Sequence, residues 1–306
     1  MLVMKLSKIL FKETLAHKFF SRVKVKLYET LTRDSLPIFL RGGDVISTSP
    51  QVHGYHEVRV KQLINFSAQD GYDDFLLDIG ANIGLSSCQS GDFFKEVHCY
   101  EPNPDCFQIL KVNTKIALKK CKLTLNNFGL GLADGETQLY VPRGNWGGAF
   151  IHDDANSYTD QEIGSKDGYI GFSSDNYEAV PIQIKNAVHH FTKLFLELKD
   201  RNLSKGFVKI DVEGYEPVVI EAIAKSIPDD LNIIILFECF TKEFNPSSLL
   251  EKFNGRATPY RLVRSPEKQL NKLRRILKIF TQFGYVYKLE EFNHKSNSTD
   301  IVFMIK

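Results

Sequence analysis

Phe75-Leu-Leu-Asp-Ile-Gly-Ala-Asn-Ile-Gly-Leu85 runs an apolar strand into a glycine turn and then into a helix. Phe75, Leu76, Leu77 and Ile79 read as a strand buried on both faces, and Gly80 and Gly84 remove side chains where the backbone passes close to a ligand. Asp78 is a carboxylate at the end of that strand. Ligands in open α/β sheets sit outside the carboxyl ends of the strands, so Asp78 is expected to face a ligand rather than the core. A dinucleotide fingerprint needs glycines where this chain has Asn82 and Leu85, which speaks against a pyrophosphate cradle.

The next apolar run, Val97-His-Cys-Tyr100, ends in Glu101-Pro-Asn-Pro104. That places an acid about twenty residues beyond the glycine turn, where this fold meets a ribose. Glu101 can accept hydrogen bonds from both hydroxyls of a nucleoside sugar. Pro102 and Pro104 stiffen the turn, and Pro104 suits the first position of a following helix.

The composition of the 306 residues, 43% hydrophobic and 25% charged, is that of an ordinary soluble globular chain, long enough for one sizeable core plus appendages. The formal net charge of +2 argues neither for nor against a polyanionic partner. No basic and aromatic stripe of the kind nucleic-acid readers use lies near the core, so no nucleic-acid partner is expected. There is no apolar run long enough to span a bilayer and no signal peptide, and the expected location is the cytoplasm. Cys88, Cys99, Cys106, Cys121 and Cys239 form no C-x-x-C pair and read as reduced packing residues.

An amphipathic N-terminal segment comes first, with Leu6, Leu10, Leu15, Phe19, Phe20, Val23 and Leu27 near helical spacing among seven lysines and arginines. It is read as a helix packed on the sheet or on a second copy of the chain, a homo-oligomer, or else as a peripheral contact with the inner face of an anionic membrane. Residues 1–70 are taken as a helical extension, with a helix near Tyr55 to Phe66, and 71–306 as the main domain. Strands are predicted at Phe75 to Gly80, Val97 to Tyr100, Leu123 to Phe128, Gly206 to Val212 and Asn232 to Phe240. Helical patterns alternate with them, the mark of a parallel sheet covered on both faces. Gly284 to Glu290 and Asp300 to Lys306 read as a closing antiparallel hairpin. From about 141 to 180 the chain turns rich in Gly, Asn, Asp, Ser and Tyr; so long an excursion is not expected to be structureless, and Asn145, Trp146 and His152 are its substrate-side candidates.

Asp78-x-Gly80-x-x-x-Gly84 resembles the first motif of S-adenosylmethionine-dependent methyltransferases, a cofactor without phosphates. With Tyr-Glu-Pro-Asn-Pro at 100–104, Asn-Trp-Gly-Gly at 145–148 and Lys-Ile-Asp-Val-Glu-Gly-Tyr-Glu at 209–216, the ordered set is similar to the FkbM family of these enzymes, over about Phe75 to Phe240. The resemblance implies an α/β Rossmann-like class I methyltransferase sheet and O-methylation of a sugar, glycan or small metabolite. It makes Asp78, Gly80, Ala81, Asn82 and Gly84 the methionine-side shell, Glu101 and Pro102 the ribose side, and Asn103 a neighbour of the adenosine. Asn127, Phe128 and Gly129 are to line the adenine. Two departures stand out: Gly129 and Gly131 after the third strand, and Val188-His-His-Phe191 where an acidic pair is common.

Chemistry is expected where the fourth strand ends, at Asp211 and Glu213, joined by Glu238 from the next strand. Crowded carboxylates push their protonation apart, so one can accept a proton. Asp211 also counts as a cofactor neighbour. His152, His189 and His190 are further candidate bases. Alignment of the reactants can supply roughly 7 to 11 kcal/mol of the barrier. Asp211 and Glu238 could also hold a divalent metal, which the spacing does not demand. Two rival readings are methylation of a protein and a non-catalytic cofactor-binding or assembly module.

Overall fold

The structure, a computed structural model, describes residues 15–33, 36–42, 45–143, 145–239, 246–266, 285–292 and 299–306. Residues 1–14 of the amphipathic segment, with Leu6 and Leu10, and residues 293–298 of the carboxy-terminal linker lie outside that set. Three helices lead, α1 (Leu15–Thr32), α2 (Val45–His53) and α3 (Val58–Gln69). Strands and helices then alternate: β1 (Phe75–Ile79), α4 (Leu85–Ser90), β2 (Glu96–Tyr100), α5 (Pro104–Ala117) and β3 (Lys122–Asn126). A second group follows, β4 (Gly129–Gly131), β5 (Gly135–Pro142), β6 (Phe150–Ile151), α6 (Asp160–Lys166) and β7 (Tyr177–Asn186). The chain returns through α7 (Ala187–Asp200), β8 (Lys205–Ile210), α8 (Glu216–Ser226), β9 (Asn232–Glu238) and α9 (Ser247–Glu251), and closes with β10 (Ala257–Pro266), β11 (Tyr285–Glu291) and β12 (Asp300–Ile305).

The main sheet has the order β11-β10-β12-β9-β8-β1-β2-β3. Strands β9, β8, β1, β2 and β3 are parallel, and β12, β10 and β11 are antiparallel additions. Strand order reverses between β1 and β8, and a doubly wound sheet opens a ligand crevice at such a switch point. The sequence motifs at 78–84 and 209–216 meet there.

Why β1 is central is visible in its side chains: Phe75, Leu76, Leu77 and Ile79 are all at most 2% exposed, so neither face can reach water. One face packs with Phe191, Phe195, Val219 and Ile223 from α7 and α8, the other with Val60, Leu63 and Ile64 from α3. Each fully buried side chain of this kind contributes about 1.5–3 kcal/mol relative to exposure. Helix α5 begins as its sequence predicts, with Pro104 at the first turn and the Asn103 side chain accepting from the Asp105 and Cys106 amides.

The predicted terminal hairpin needs correcting. Strands β11 and β12 do not pair with each other; β10 lies between them. Its prolines argue against an interior strand, yet Pro259 pairs only on the β12 side and Pro266 only on the β11 side. Each therefore sits where one ladder is already absent.

The excursion after β3 is a four-stranded sheet of order β4-β7-β5-β6. It begins before residue 141 and has its own aromatic core of Phe150, Tyr158 and Tyr177, with Tyr140 and Phe172 against it. Helix α6 starts with a reciprocal capping box between Thr159 and Glu162. Among the described residues no helix is long and apolar enough to cross a membrane. Cys88, Cys99 and Cys106 are buried, and burial pushes the Cys88 thiol up to about 12, as suits packing residues.

Candidate active site

At the switch point a cleft of about 220 Å³ opens over the carboxyl ends of β1, β2, β8 and β9. Of the residues singled out in the sequence, Gly80, Ala81, Asn82, Glu101, Pro102, Asn145, Trp146, Asp211, Glu213 and Glu238 line it. His56, Glu57, Lys166 and Lys209 line it too, and no sequence pattern assigns them a role.

The glycine turn is built against β8 rather than only against a ligand. Gly80 has φ +79°, and a Cβ there would lie 1.8 Å from the Asp211 carbonyl oxygen. The turn's amides are already used. Gly80 and Ala81 donate to the Tyr100 carbonyl (3.0 and 2.9 Å), and Gly84 donates to Ala81 (2.8 Å). Asn82 donates to a Glu101 carboxylate oxygen (2.7 Å), and Ile83 donates to the Asn82 side chain (2.7 Å). A phosphate site needs free amides pointing at the anion. These five are spent, in keeping with a ligand that carries no pyrophosphate.

Glu101 is 6% exposed and accepts one backbone amide on each oxygen, from Asn82 and from Asn103 (2.8 Å). A carboxylate has about four acceptor positions, so each oxygen keeps one for a sugar hydroxyl. Burial pushes its pKa up to about 7 against the pull of those two amides. The Asn145 Oδ1 atom is buried in the cleft wall with no hydrogen-bond partner among the described residues. An orphan acceptor there fits a ligand that brings a donor. Glu101 and Asn145 thus suit an adenosine bearing an amino acid.

Asp78 is corrected: it is 0% exposed and lies beneath the turn, outside the cleft lining. The parallel register sets it beside Lys209. One oxygen accepts from the Ser87 hydroxyl (2.6 Å), and the other lies 3.7 Å from the Lys209 ammonium. Lys209 reaches on to Asp211 at 3.0 Å. Burial opposes the charge on Lys209, but Asp211 and Asp78 outweigh it and hold the ammonium protonated. Burial likewise raises Asp211, yet Lys209 leaves its carboxyl below the usual range, in line with a side chain still 40% exposed.

Glu213 stands in the left-handed region (φ +53°), and its carboxylate pairs with Lys166 of α6. The second sheet holds this turn. Asn156 donates to the Glu213 carbonyl (3.0 Å), and Ser157 donates to the Gly214 carbonyl from both its amide and its hydroxyl. From below, Glu216 accepts from the Val212 and Gly214 amides (3.0 and 2.9 Å), and burial pushes it up to about 7. Glu238 accepts from the Thr299 hydroxyl (2.9 Å), and burial followed by Asp211 raises its pKa.

His56 comes from the loop before α3. Its amide and carbonyl are both bonded to the Gln89 side chain (3.1 and 3.0 Å), which clamps the loop onto α4. Burial, then Lys209, lowers its pKa to about 4, so the imidazole is neutral at pH 7. Nε2 lies 3.6 Å from Glu57, and Nδ1 is buried with no hydrogen-bond partner among the described residues. Burial, and after it Asp211, raises Glu57. No motif marks these two residues.

Other expected positions serve the scaffold. Asn103 caps α5, and Asn127 donates to the Glu101 and Pro102 carbonyls (2.8 and 3.2 Å). Phe128 packs edge-on against Tyr100 and His190, not against the cleft. Gly129 sits in β4, where a Cβ would press on Ile184 at 2.7 Å, and Gly84 heads α4 against Leu110. His152 stacks on Phe172 and bonds Asp160 (2.8 Å), away from the cleft; His190 is bonded to the Tyr100 hydroxyl (2.8 Å). Trp146 does form a cleft wall, under the Arg41 guanidinium at 4.3 Å. Among the described residues no group of three or more His, Cys, Asp or Glu is placed to hold a metal ion.

The methyltransferase FkbM domain model matches residues 78–287. No curated protein sequence matches the chain. Solved structures with a similar outline include an O-methyltransferase from Bacillus cereus in complex with SAH, at 10% identity over 97% of this chain and 94% of that one, TM-score 0.39. Others are a precorrin-6y C5,15-methyltransferase from Geobacter metallireducens (12%, 82% and 89%, TM-score 0.37) and a putative RNA methyltransferase from Pyrococcus horikoshii (9%, 91% and 96%, TM-score 0.35). With the family model spanning both motif regions that meet at the switch point, the chain belongs to the FkbM family and is an S-adenosylmethionine-dependent methyltransferase.

Proposed function

We propose that the enzyme methylates a hydroxyl oxygen of a sugar, glycan or small metabolite, and that His56 takes the hydroxyl proton. Bound S-adenosylmethionine supplies the methyl group as a sulfonium. Glu101 grips the ribose hydroxyls, Asn145 accepts from the amino-acid end, and the turn at Gly80 to Asn82 forms the floor. Trp146 and Ala149 close the wall against water.

The observation that carries the reading is the buried, unpartnered Nδ1 of a neutral imidazole in the cleft. Glu57, close to Nε2, favours the tautomer with its proton on Nε2, which leaves Nδ1 as an acceptor. Asp211 is engaged by Lys209, Glu213 by Lys166 and Glu238 by Thr299. A hydroxyl oxygen becomes strongly acidic as it gains a methyl, so a base with a low pKa suffices. A general base of this kind contributes about 10² to 10⁴-fold.

Incubating lysate glycans and metabolites with an isotopically labelled methyl donor tests the acceptor class. Label is expected on a hydroxyl of a glycan or metabolite, and label confined to peptides or RNA would remove the reading. With that acceptor in hand, His56→Gln should lower kcat by about 10² to 10⁴-fold while cofactor affinity is kept. An unchanged kcat would assign the proton elsewhere.

A further inference from the structure

We propose that helix α1 is a docking surface for an anionic lipid bilayer. At 100° per residue, Phe19, Phe20, Val23 and Leu27 share one face of Leu15–Thr32, and they are 64, 62, 48 and 58% exposed. A helix that serves a protein core buries such a stripe. This one holds it away from the sheet.

The charges say what covers it. Arg22 and Lys26, one turn apart, run along one flank of the apolar face, and Lys24 lies on the other. With Lys18 the helix carries four basic residues against the single acid Glu29, a net charge of +3. A second copy of the same helix would set like-charged flanks against each other. A sheet of phosphate headgroups accepts both flanks at once and takes the aromatic stripe into the acyl boundary, the arrangement of an interfacial helix. It lies in the surface and does not span, since among the described residues no helix meets the length and apolarity for crossing.

The position of α1 links docking to the site. It contacts α2, and α2 supplies Ile46 to the cleft wall. Docking therefore brings the cleft to the bilayer, a consequence independent of which base takes the proton.

Co-sedimentation of the full chain with vesicles of phosphatidylcholine, alone or mixed with phosphatidylglycerol, is the test. Partition onto the anionic vesicles should be roughly a hundredfold stronger, and high salt should remove most of the difference. Phe20→Ser with Leu27→Ser should abolish binding, and Lys24→Glu with Lys26→Glu should equalise the two vesicle types. Unchanged cofactor affinity, measured by calorimetry, serves as the folding control for both variants. Equal partition of the parent onto both vesicle types, or none onto either, overturns the proposal. So does concentration-dependent dimerisation that Phe20→Ser with Leu27→Ser abolishes.

Discussion

Glu101 and Glu216 are two buried glutamates with opposite tasks, although burial pushes both up to about 7. Glu101 faces the cleft and keeps acceptor positions for a ligand. Replacing it with Gln removes a charge-assisted acceptor, each such hydrogen bond contributing about 1.5–3 kcal/mol. Glu101→Gln should therefore weaken cofactor binding about 10 to 100-fold by calorimetry; unchanged affinity would detach Glu101 from the ribose. Glu216 also accepts one amide on each oxygen, from Val212 and Gly214, but it lies outside the cleft lining, under the turn that follows β8. Its ordinary pKa is 4.5. As pH rises from 4.5 towards 7 the unfolded chain has released this proton while the folded chain still holds it, so the stability it contributes falls across that window. His56 and His190, lowered to about 4, act in the opposite sense as pH rises from 4 to 6.5. The difference between parent and Glu216→Gln isolates the glutamate. In urea denaturation the variant should gain on the parent from pH 4.5 to 7, and a pH-independent difference would contradict the assignment.

At the scale of elements, the turn after β8 is held from two sides, by α8 through Glu216 and by the second sheet through Asn156 and Ser157. Gly214 has φ +99°, and a Cβ there would lie 2.0 Å from the Asn156 side-chain oxygen. The inserted sheet is thus a clamp on the residues that follow Asp211. Asn156→Ala removes bonds to the Ile151 and Glu213 carbonyls (2.8 and 3.0 Å). It should cost about 1–3 kcal/mol of stability in urea denaturation and lower kcat more than cofactor affinity, because Glu101 lies on the other strand of the cleft. Equal loss in both would place the clamp under the cofactor. Legibility differs among the elements for a physical reason. Strands β1 and β9 are buried on both faces and read as apolar runs, Phe75 to Leu77 and Ile233 to Phe237, and β8 is buried from Gly206 to Ile210 although Lys209 interrupts its apolar pattern. Strand β10 alternates Tyr260 and Leu262 with Arg261 and carries two prolines, so its sequence reads as an edge or a loop.

For the whole molecule, the doubly wound order puts Gly80 to Asn82, Glu101 and Asp211 to Glu213 around one crevice. Each follows a strand in the chain, and strand ends on one side of a parallel sheet converge. From sequence alone came the strand-turn-helix at 75–85, the acid after the second strand, the start of α5 at Pro104 and the family, all set by local pattern. Tertiary structure decided which carboxylates are free. Lys209 and Lys166 neutralise acids that look available in the sequence, and His56, clamped by Gln89 more than thirty residues away in the chain, enters a cleft that no motif connects it to. Burial and charge pairing depend on what distant segments bring alongside, and a one-dimensional pattern does not carry those distances.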